Sequence, residues 1–487
     1  MSDLVHLTVH QLARAIRQRQ ASTVEVVQAH LNHISQHNPA LNAIVTLDEE
    51  RALRRAQESD AALACGENWG PLHGVPVTVK DVFETAGLRT TSSFKPLANY
   101  IPKQDAAVVA RLRVAGAIIL GKTNMPILAV DIQSDSPLFG RANNPWDLSR
   151  TPGGSTGGGG AAIAAGMSPL EVGSDMGGSI RIPAHFCGVF GFKPTEHRVP
   201  GTGHIPDFPG AFKTLRHMCA FGPLARCVQD LRLCFSLIAG PDGRDLDVPP
   251  VPLDDPPHKT LPEMRFAWTD DFSGVPVTAE TRAALAKLAD SLSELGCRVE
   301  RLNPPEFDFE MAWRTHGEIM GAIVGVNLPP PLRALGPPLG AVLSRNEPVY
   351  RGITRGVRAD MRRYMQGLAR RDTLIQALER FLAEWDAWLC PVSPTPAFTH
   401  RRPGIGLPTQ SIEVDGHKLP YWKGSISYTT VFNLTGNPVV VLPLARSKEG
   451  LPIGVQVVGR RWRDMELLSI AEQLAEVLGP FQPPPGY

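Results

Sequence analysis

The sequence predicts an α/β protein, a sheet covered by helices, from three observations. An apolar β-rich run over 75–79 ends at Lys80 and Asp81, a helical pattern over 105–115 leads into a second apolar run at 117–120, and a strand–helix–strand pattern recurs over 265–302. Apolar runs alternating with helical periods are the punctuation of βαβ units. Length alone, 487 residues, suggests two or three domains or one large α/β enzyme.

Taken in order, residues 8–19 and 23–36 carry apolar side chains at three-to-four spacing, the first opening on a Thr cap, and predict amphipathic surface helices. The 155–167 stretch predicts a glycine-opened helix of Ala and Ile, narrow enough to pack deep. Pro and Asp mark 242–262 as an exposed connection. Strands at 265–270 and 298–302 flank a helix at 278–295, a second βαβ half. Beyond them come an apolar, proline-rich stretch at 328–340 and one or two Arg-rich helices over 354–388. Late strands at 386–391, 438–443 and 454–458 precede a closing helix at 465–478, and no internal repeat is evident.

Hydrophobic residues make up 43% of the chain and charged residues 20%, the balance of a soluble globular protein with a large core. The net charge of +1 gives no global field to gather nucleic acid or anionic lipid. Seven cysteines, an odd number without a C-x-x-C pair, argue against a disulfide framework or a metal site and for free thiols in a reducing cytoplasm. The first 18 residues spread their charges through a helical period, unlike a signal peptide. No run of about 18 apolar residues occurs, which excludes a spanning helix and leaves a surface-bound one open.

The chemistry concentrates in 151–195, where Ser155 and Ser179, 24 residues apart, each sit among glycines. A serine on a glycine-bared turn can present its hydroxyl, with backbone N–H groups beside it, to a carbonyl carbon. Around Ser179, the N–H groups of Met176, Gly177, Gly178 and Ser179 could converge on one point as an anion-accepting nest, with Asp175 and Arg181 as a structural brace. Lys80 stands at a strand end, where active-site groups of open sheets gather, although a lone lysine there is more often a surface residue.

Three competing motifs fail on context. Gly116–Thr123 satisfies G-x-x-x-x-G-K-[ST], but its middle residues are a buried-strand run and Pro126 follows where a helix is required. Gly153–Gly157 satisfies G-x-S-x-G, but no strand precedes Ser155. His185, His197, His204 and His217 cluster downstream, and none lies in a turn that marks a triad member.

The chain resembles the amidase signature family. The resemblance rests on GGSTGGGGAAIAAG and VGSDMGGSIRIPAHFCGVFGFKPT, preceded by LHGVPVTVKD, AAVVARLRVAGAIILGKTNMP and ANNPWD and followed by LPIGVQVVG, in the expected order. It implies one α/β/α domain over 1–487 around a mixed, mostly parallel twisted sheet, with a helical N-terminal part at 1–60, a signature core at 61–240 and a variable substrate-side insert at about 320–380. It implies Ser179 as nucleophile, Ser155 as a bridging serine with a cis peptide, Lys80 as base, and Met176, Gly177, Gly178 and Ser179 as the oxyanion hole. Lys80 could serve as base only when neutral, a state that burial favours.

The chain departs from the family at Ile127, where Glu is frequent, at Thr156 in place of a second serine, and at Ile182, where tRNA-transamidating members often have Gln. After KPT, EHRVPGTGHIPDFPGAF replaces those members' usual stretch. The leading expectation is a serine amidohydrolase that cleaves a carboxamide, anilide or related carbamate or ester bond through an acyl-enzyme, without cofactor or metal. The alternative is the amidase subunit of a tRNA-dependent amidotransferase. A non-catalytic binding protein is disfavoured because all three triad positions are filled. The expected partners are a small-molecule amide with an apolar acyl or aryl group and a second copy of the chain, with no nucleic acid and no transmembrane segment. Variable loops at 196–220 and 320–360 are the expected carriers of specificity.

Overall fold

The computed structural model describes residues 4–207, 212–257, 259–331, 333–334, 347–402 and 410–487. Eleven strands join in one continuous sheet. Across it the order is Ile44–Leu47, Ile118–Thr123, Pro76–Lys80, Leu170–Asp175, Ala220–Ala225, Phe190–Lys193, Val439–Arg446, Pro452–Val458, Ala387–Pro391, Arg265–Trp268 and Arg298–Arg301.

Strand alternation builds a core on each face. Val440, Leu442, Leu389 and Phe266 enter one apolar cluster, whereas their neighbours Val439, Val441, Trp388 and Ala267 enter another. The first cluster takes in the helices Val9–Arg17, Ala107–Val114, Val228–Ile238 and Asp464–Leu478. The second takes in Arg181–Cys187, Phe309–Asn327, Met361–Leu382 and Lys423–Thr435. Helices on both faces of one sheet are the α/β arrangement expected.

The expected predominance of parallel pairing is corrected. Six of the ten neighbouring strand pairs are antiparallel and four parallel. The parallel pairs join Pro76–Lys80 to its two neighbours and Arg265–Trp268 to its two, the βαβ units legible in sequence. The middle of the sheet closes by shorter returns, such as the turn through Gly450 that folds Val439–Arg446 onto Pro452–Val458, and a short return permits only antiparallel neighbours.

Most elements follow the sequence pattern. Thr8 forms a capping box for Val9–Arg17, and Thr278 caps Ala279–Glu294. The helix Thr23–Leu41 runs beyond the expected stop, through Pro39. The glycine-opened helix Gly157–Ala164 is buried at every residue. Only 328–331 and 333–334 of the proline-rich 328–340 stretch lie among the described residues.

Phe309–Asn327 packs on Pro348–Gly356 through glycines at every fourth position. A Cβ on Gly317, Gly321 or Gly325 would overlap the carbonyl oxygen of Val349, Ile353 or Val357, and one on Gly352 or Gly356 that of Arg314 or Glu318. Backbone meets backbone along the whole seam. Gly321→Ala should therefore force the helices apart and destabilise by about 1–3 kcal/mol, read as a melting temperature lowered by several degrees. Gly367→Ala, where the nearest side-chain atom to the new Cβ is 3.6 Å away, should be neutral or stabilising. Equal melting temperatures for the two variants would contradict the close seam.

Candidate active site

Lys80 ends the strand Pro76–Lys80, which turns Val77 and Val79 into the apolar cluster and Thr78 and Lys80 to the other face. Its side chain is wholly buried. Nζ lies 2.7 Å from Ser155 Oγ, 3.0 Å from Ser174 Oγ and 3.4 Å from the Ser174 carbonyl. Among the described residues no carboxylate lies within ion-pair distance of it. Burial lowers the amine to about 7, against the opposing pull of Cys219, Asp175 and Glu171. A substantial fraction of Lys80 is therefore neutral at physiological pH.

Ser155 is buried just before Gly157–Ala164, and the Gly154–Ser155 peptide is cis. Ser179 lies in the turn from Leu170–Asp175 into Arg181–Cys187 and remains partly open to solvent. The Thr156 N–H donates to the Ser179 carbonyl at 3.1 Å and ties the two serine segments together. Lys80 and Ser155 thus touch directly, and Ser179 is held next to the segment that carries Ser155.

Asp175 and Arg181 form the brace expected of them. Arg181 Nη2 lies 2.8 Å from Asp175 Oδ1 and Nε 3.1 Å from Oδ2, with both side chains fully buried. The guanidinium also donates to Gln456 Oε1 at 2.8 Å, to the Thr429 carbonyl at 2.9 Å and to Asn433 Oδ1. That guanidinium holds the Asp175 carboxyl well below the usual carboxylate range. Each Asp175 oxygen also accepts a turn N–H, from Gly178 at 2.8 Å and from Ile180 at 3.0 Å. The Gly178 N–H is therefore committed to Asp175, and the anion nest narrows. Among the described residues, the N–H groups of Met176, Gly177 and Ser179 have no protein acceptor. Gly178 has φ +115°, where a Cβ would also lie 2.6 Å from Thr429 Oγ1, so glycine is required there for shape.

The histidines stand apart from this centre. His185 is bonded to the Thr395 carbonyl at 3.0 Å and the Gly454 N–H at 2.6 Å, and burial lowers it to about 4. His204 is buried against Phe83 and Phe221, while His217 faces Arg371. Lys122 of the rejected phosphate loop lies in the strand Ile118–Thr123 and donates to the Phe83 carbonyl and, at 2.9 Å, to Thr85 Oγ1. Ligand-type groups do meet at His10, Cys227 and Asp230 and at Glu196, His197 and His217, which sequence spacing did not show. Asp230 is already occupied there by the N–H groups of Val9 and His10, and Glu196 by Arg371 and the Met218 N–H.

Sequence reasoning missed Ser174, Cys219 and Asn433. Ser174 borders Asp175 inside a motif that was read for its glycines, and the other two reach the site from distant segments. Asn433 Nδ2 donates to the carbonyls of Asp175 and Met218 at 3.0 Å each. His316 likewise reaches in, its Nε2 donating to the Met176 carbonyl at 3.0 Å. Gly154 rests against 131–133, where a Cβ would lie 2.6 Å from the Ile132 carbonyl carbon. The apolar run Ile127 to Val130 leads into that contact, and Ile127 is 42% exposed.

With this geometry in place, the comparisons with known proteins converge. The family model described as Amidase matches residues 25–468. An indoleacetamide hydrolase of Bradyrhizobium diazoefficiens is 35% identical, over 96% of this chain and 86% of that protein. The amidase-type component of the glutamyl-tRNA(Gln) amidotransferase of Salinispora tropica is 32% identical, over 99% of this chain and 100% of that one. Among solved structures, an amidase superposes with a TM-score of 0.80 at 30% identity, over 97% of this chain and 100% of the other. The chain belongs to the amidase signature family.

Proposed function

We propose that this protein is a serine amidohydrolase that uses Ser179 as nucleophile, Ser155 as proton bridge and Lys80 as base. One observation carries the reading: a fully buried lysine without a counter-ion, its amine 2.7 Å from Ser155 Oγ and lowered to about 7. A neutral amine there accepts the Ser155 proton as Ser155 takes that of Ser179, and Ser179 Oγ bonds to the substrate carbonyl carbon. The N–H groups of Met176, Gly177 and Ser179 face the oxygen as it becomes negative. The proton returns through Ser155 to the leaving nitrogen. Water then cleaves the acyl-enzyme by the same relay and releases the carboxylic acid.

The substrate is an amide with an apolar acyl or aryl group. The apolar run at 127–130 beside the Gly154 contact supports this, as does similarity to an indoleacetamide hydrolase. On this reading the whole chain is one catalytic domain, with about 320–380 on the substrate side, and its only protein partner is a second copy of itself. Seven free thiols suit a reducing cytoplasm, and no helix among the described residues is long and apolar enough to cross a membrane. Full-length similarity to a glutamyl-tRNA(Gln) amidotransferase component supports a second reading, an amidase that delivers ammonia to a partner chain. Turnover of aliphatic, aryl and indole acetamides by the purified single chain decides for the first. Activity that requires added partner chains decides for the second.

Ser179→Ala should lower turnover by roughly 10⁴-fold or more without changing the melting temperature. A fluorophosphonate probe should label Ser179 alone in the wild-type protein. Labelling at Ser155 would reverse the two assignments.

The pH dependence follows from the direction of the Lys80 shift. The protonated amine cannot accept a proton, so kcat/KM should fall in acid and rise to a plateau through the pH where Lys80 deprotonates, about 7. Lys80→Ala should remove activity across the range. An optimum near pH 4, or activity that survives Lys80→Ala, would exclude Lys80 as the base.

A further inference from the structure

Behind Lys80 lies a buried carboxyl that the relay does not use. Glu171 is wholly buried in the strand Leu170–Asp175 and pairs in parallel register with Thr78, two residues before Lys80 on the same strand face. Strand spacing and rise place Glu171 and Lys80 roughly 8 Å apart at Cα. Glu171 Oε1 accepts from Thr123 Oγ1 at 2.6 Å, and Oε2 has no hydrogen-bond partner among the described residues. Space for this side chain comes from Gly159 on the facing buried helix, where a Cβ would lie 2.5 Å from Glu171 Cγ and 2.8 Å from Oε1. An acid that deep, in a recess left by a glycine, needs a reason: a buried carboxyl without a full set of partners is costly.

We propose that Glu171 is a positioning residue of the base, a charge partner whose carboxylate sets the pH at which the Lys80 amine becomes free to accept a proton. The proposal rests on Lys80 as base. The other groups that face the amine do not supply this charge. Burial pushes the Cys219 thiol up to about 12, so it is neutral where the enzyme works. Asp175 is held by Arg181, and Ser155 and Ser174 are neutral hydroxyls. His204 is also lowered, to about 3, by burial and then by Lys80 itself. Burial raises Glu171 to about 7, while the hydroxyls of Thr123 and Thr78 and the ammonium groups of Lys122 and Lys80 favour its ionised form. Carboxyl and amine therefore change charge in the same pH range. An ionised Glu171 stabilises the Lys80 ammonium and raises the amine's proton affinity. Without it, the amine would deprotonate at lower pH and be a weaker base.

Glu171→Gln keeps shape and removes charge. Its acid limb of kcat/KM should move to lower pH by about one unit, while the plateau falls a few-fold, so the normalised profile crosses that of the wild type. Glu171→Asp keeps the charge and should keep the limb in place. A structural role would lower the plateau or the melting temperature and leave the limb unmoved, and that result overturns the proposal. If Glu171→Gln does not fold, the double variant Glu171→Ala, Gly159→Ala, whose new methyl enters the vacated space, reads the same shift. Lys80→Ala separates the two levels. An inactive Lys80→Ala with an unmoved Glu171→Gln limb overturns the role of Glu171 alone, and an active Lys80→Ala overturns the base assignment beneath it.

Discussion

The site depends on an amine taken out of water without a counter-charge. Lys80 and Arg181 are both fully buried, and the protein treats them in opposite ways. Arg181 receives Asp175 as a two-point partner and stays charged, as a guanidinium must. Lys80 receives the hydroxyls of Ser155 and Ser174 and a carbonyl, and its proton becomes labile. Hydroxyls solvate either form of an amine but cannot repay the burial of its charge. The fully paired cation thus provides structure and the unpaired one provides chemistry.

The fold is arranged to keep these two lattices adjacent and separate. The strand Pro76–Lys80 delivers the amine, and its neighbour Leu170–Asp175 delivers Ser174, Asp175 and the turn that follows. Asp175 gathers the N–H groups of Gly178 and Ile180, which curls the turn and leaves those of Met176, Gly177 and Ser179 without protein acceptors among the described residues. Asn433 and His316 then fix the carbonyl side of the same segment from two helices on one face of the sheet. Removing Arg181 would strand the Asp175 carboxylate and loosen the turn, a loss far larger than that of one surface ion pair.

Much of this was legible in the sequence, and the exceptions have physical causes. The capping residues Thr8 and Thr278, the strand that ends at Lys80 and the buried helix after Ser155 follow from local rules, and so does rejection of the phosphate loop. Pairing in the middle of the sheet does not, because it depends on which segments meet. The helix Lys423–Thr435 was missed because Ser, Thr, Tyr, Val and Phe favour strands. It is helical because burial on almost every side satisfies its apolar residues, while the hydroxyls of Ser427, Thr430 and Thr435 bond back to carbonyls four residues earlier. Lys80, Ser155 and Ser179 were visible through glycines and spacing. The use of the Gly178 N–H by Asp175 and the lodging of Glu171 against Gly159 appear only in three dimensions.

The central claim is that Lys80 is a neutral amine at working pH. Heteronuclear NMR of protein carrying ¹³C,¹⁵N-labelled lysine, with the Lys80 signal identified by its loss in Lys80→Ala, measures that state directly. The account predicts that the Lys80 side-chain resonances titrate with a midpoint near neutrality, about 7, apart from the bulk of the lysines. A Lys80 that remained an ammonium up to the ordinary lysine range, about 10.4, would contradict it.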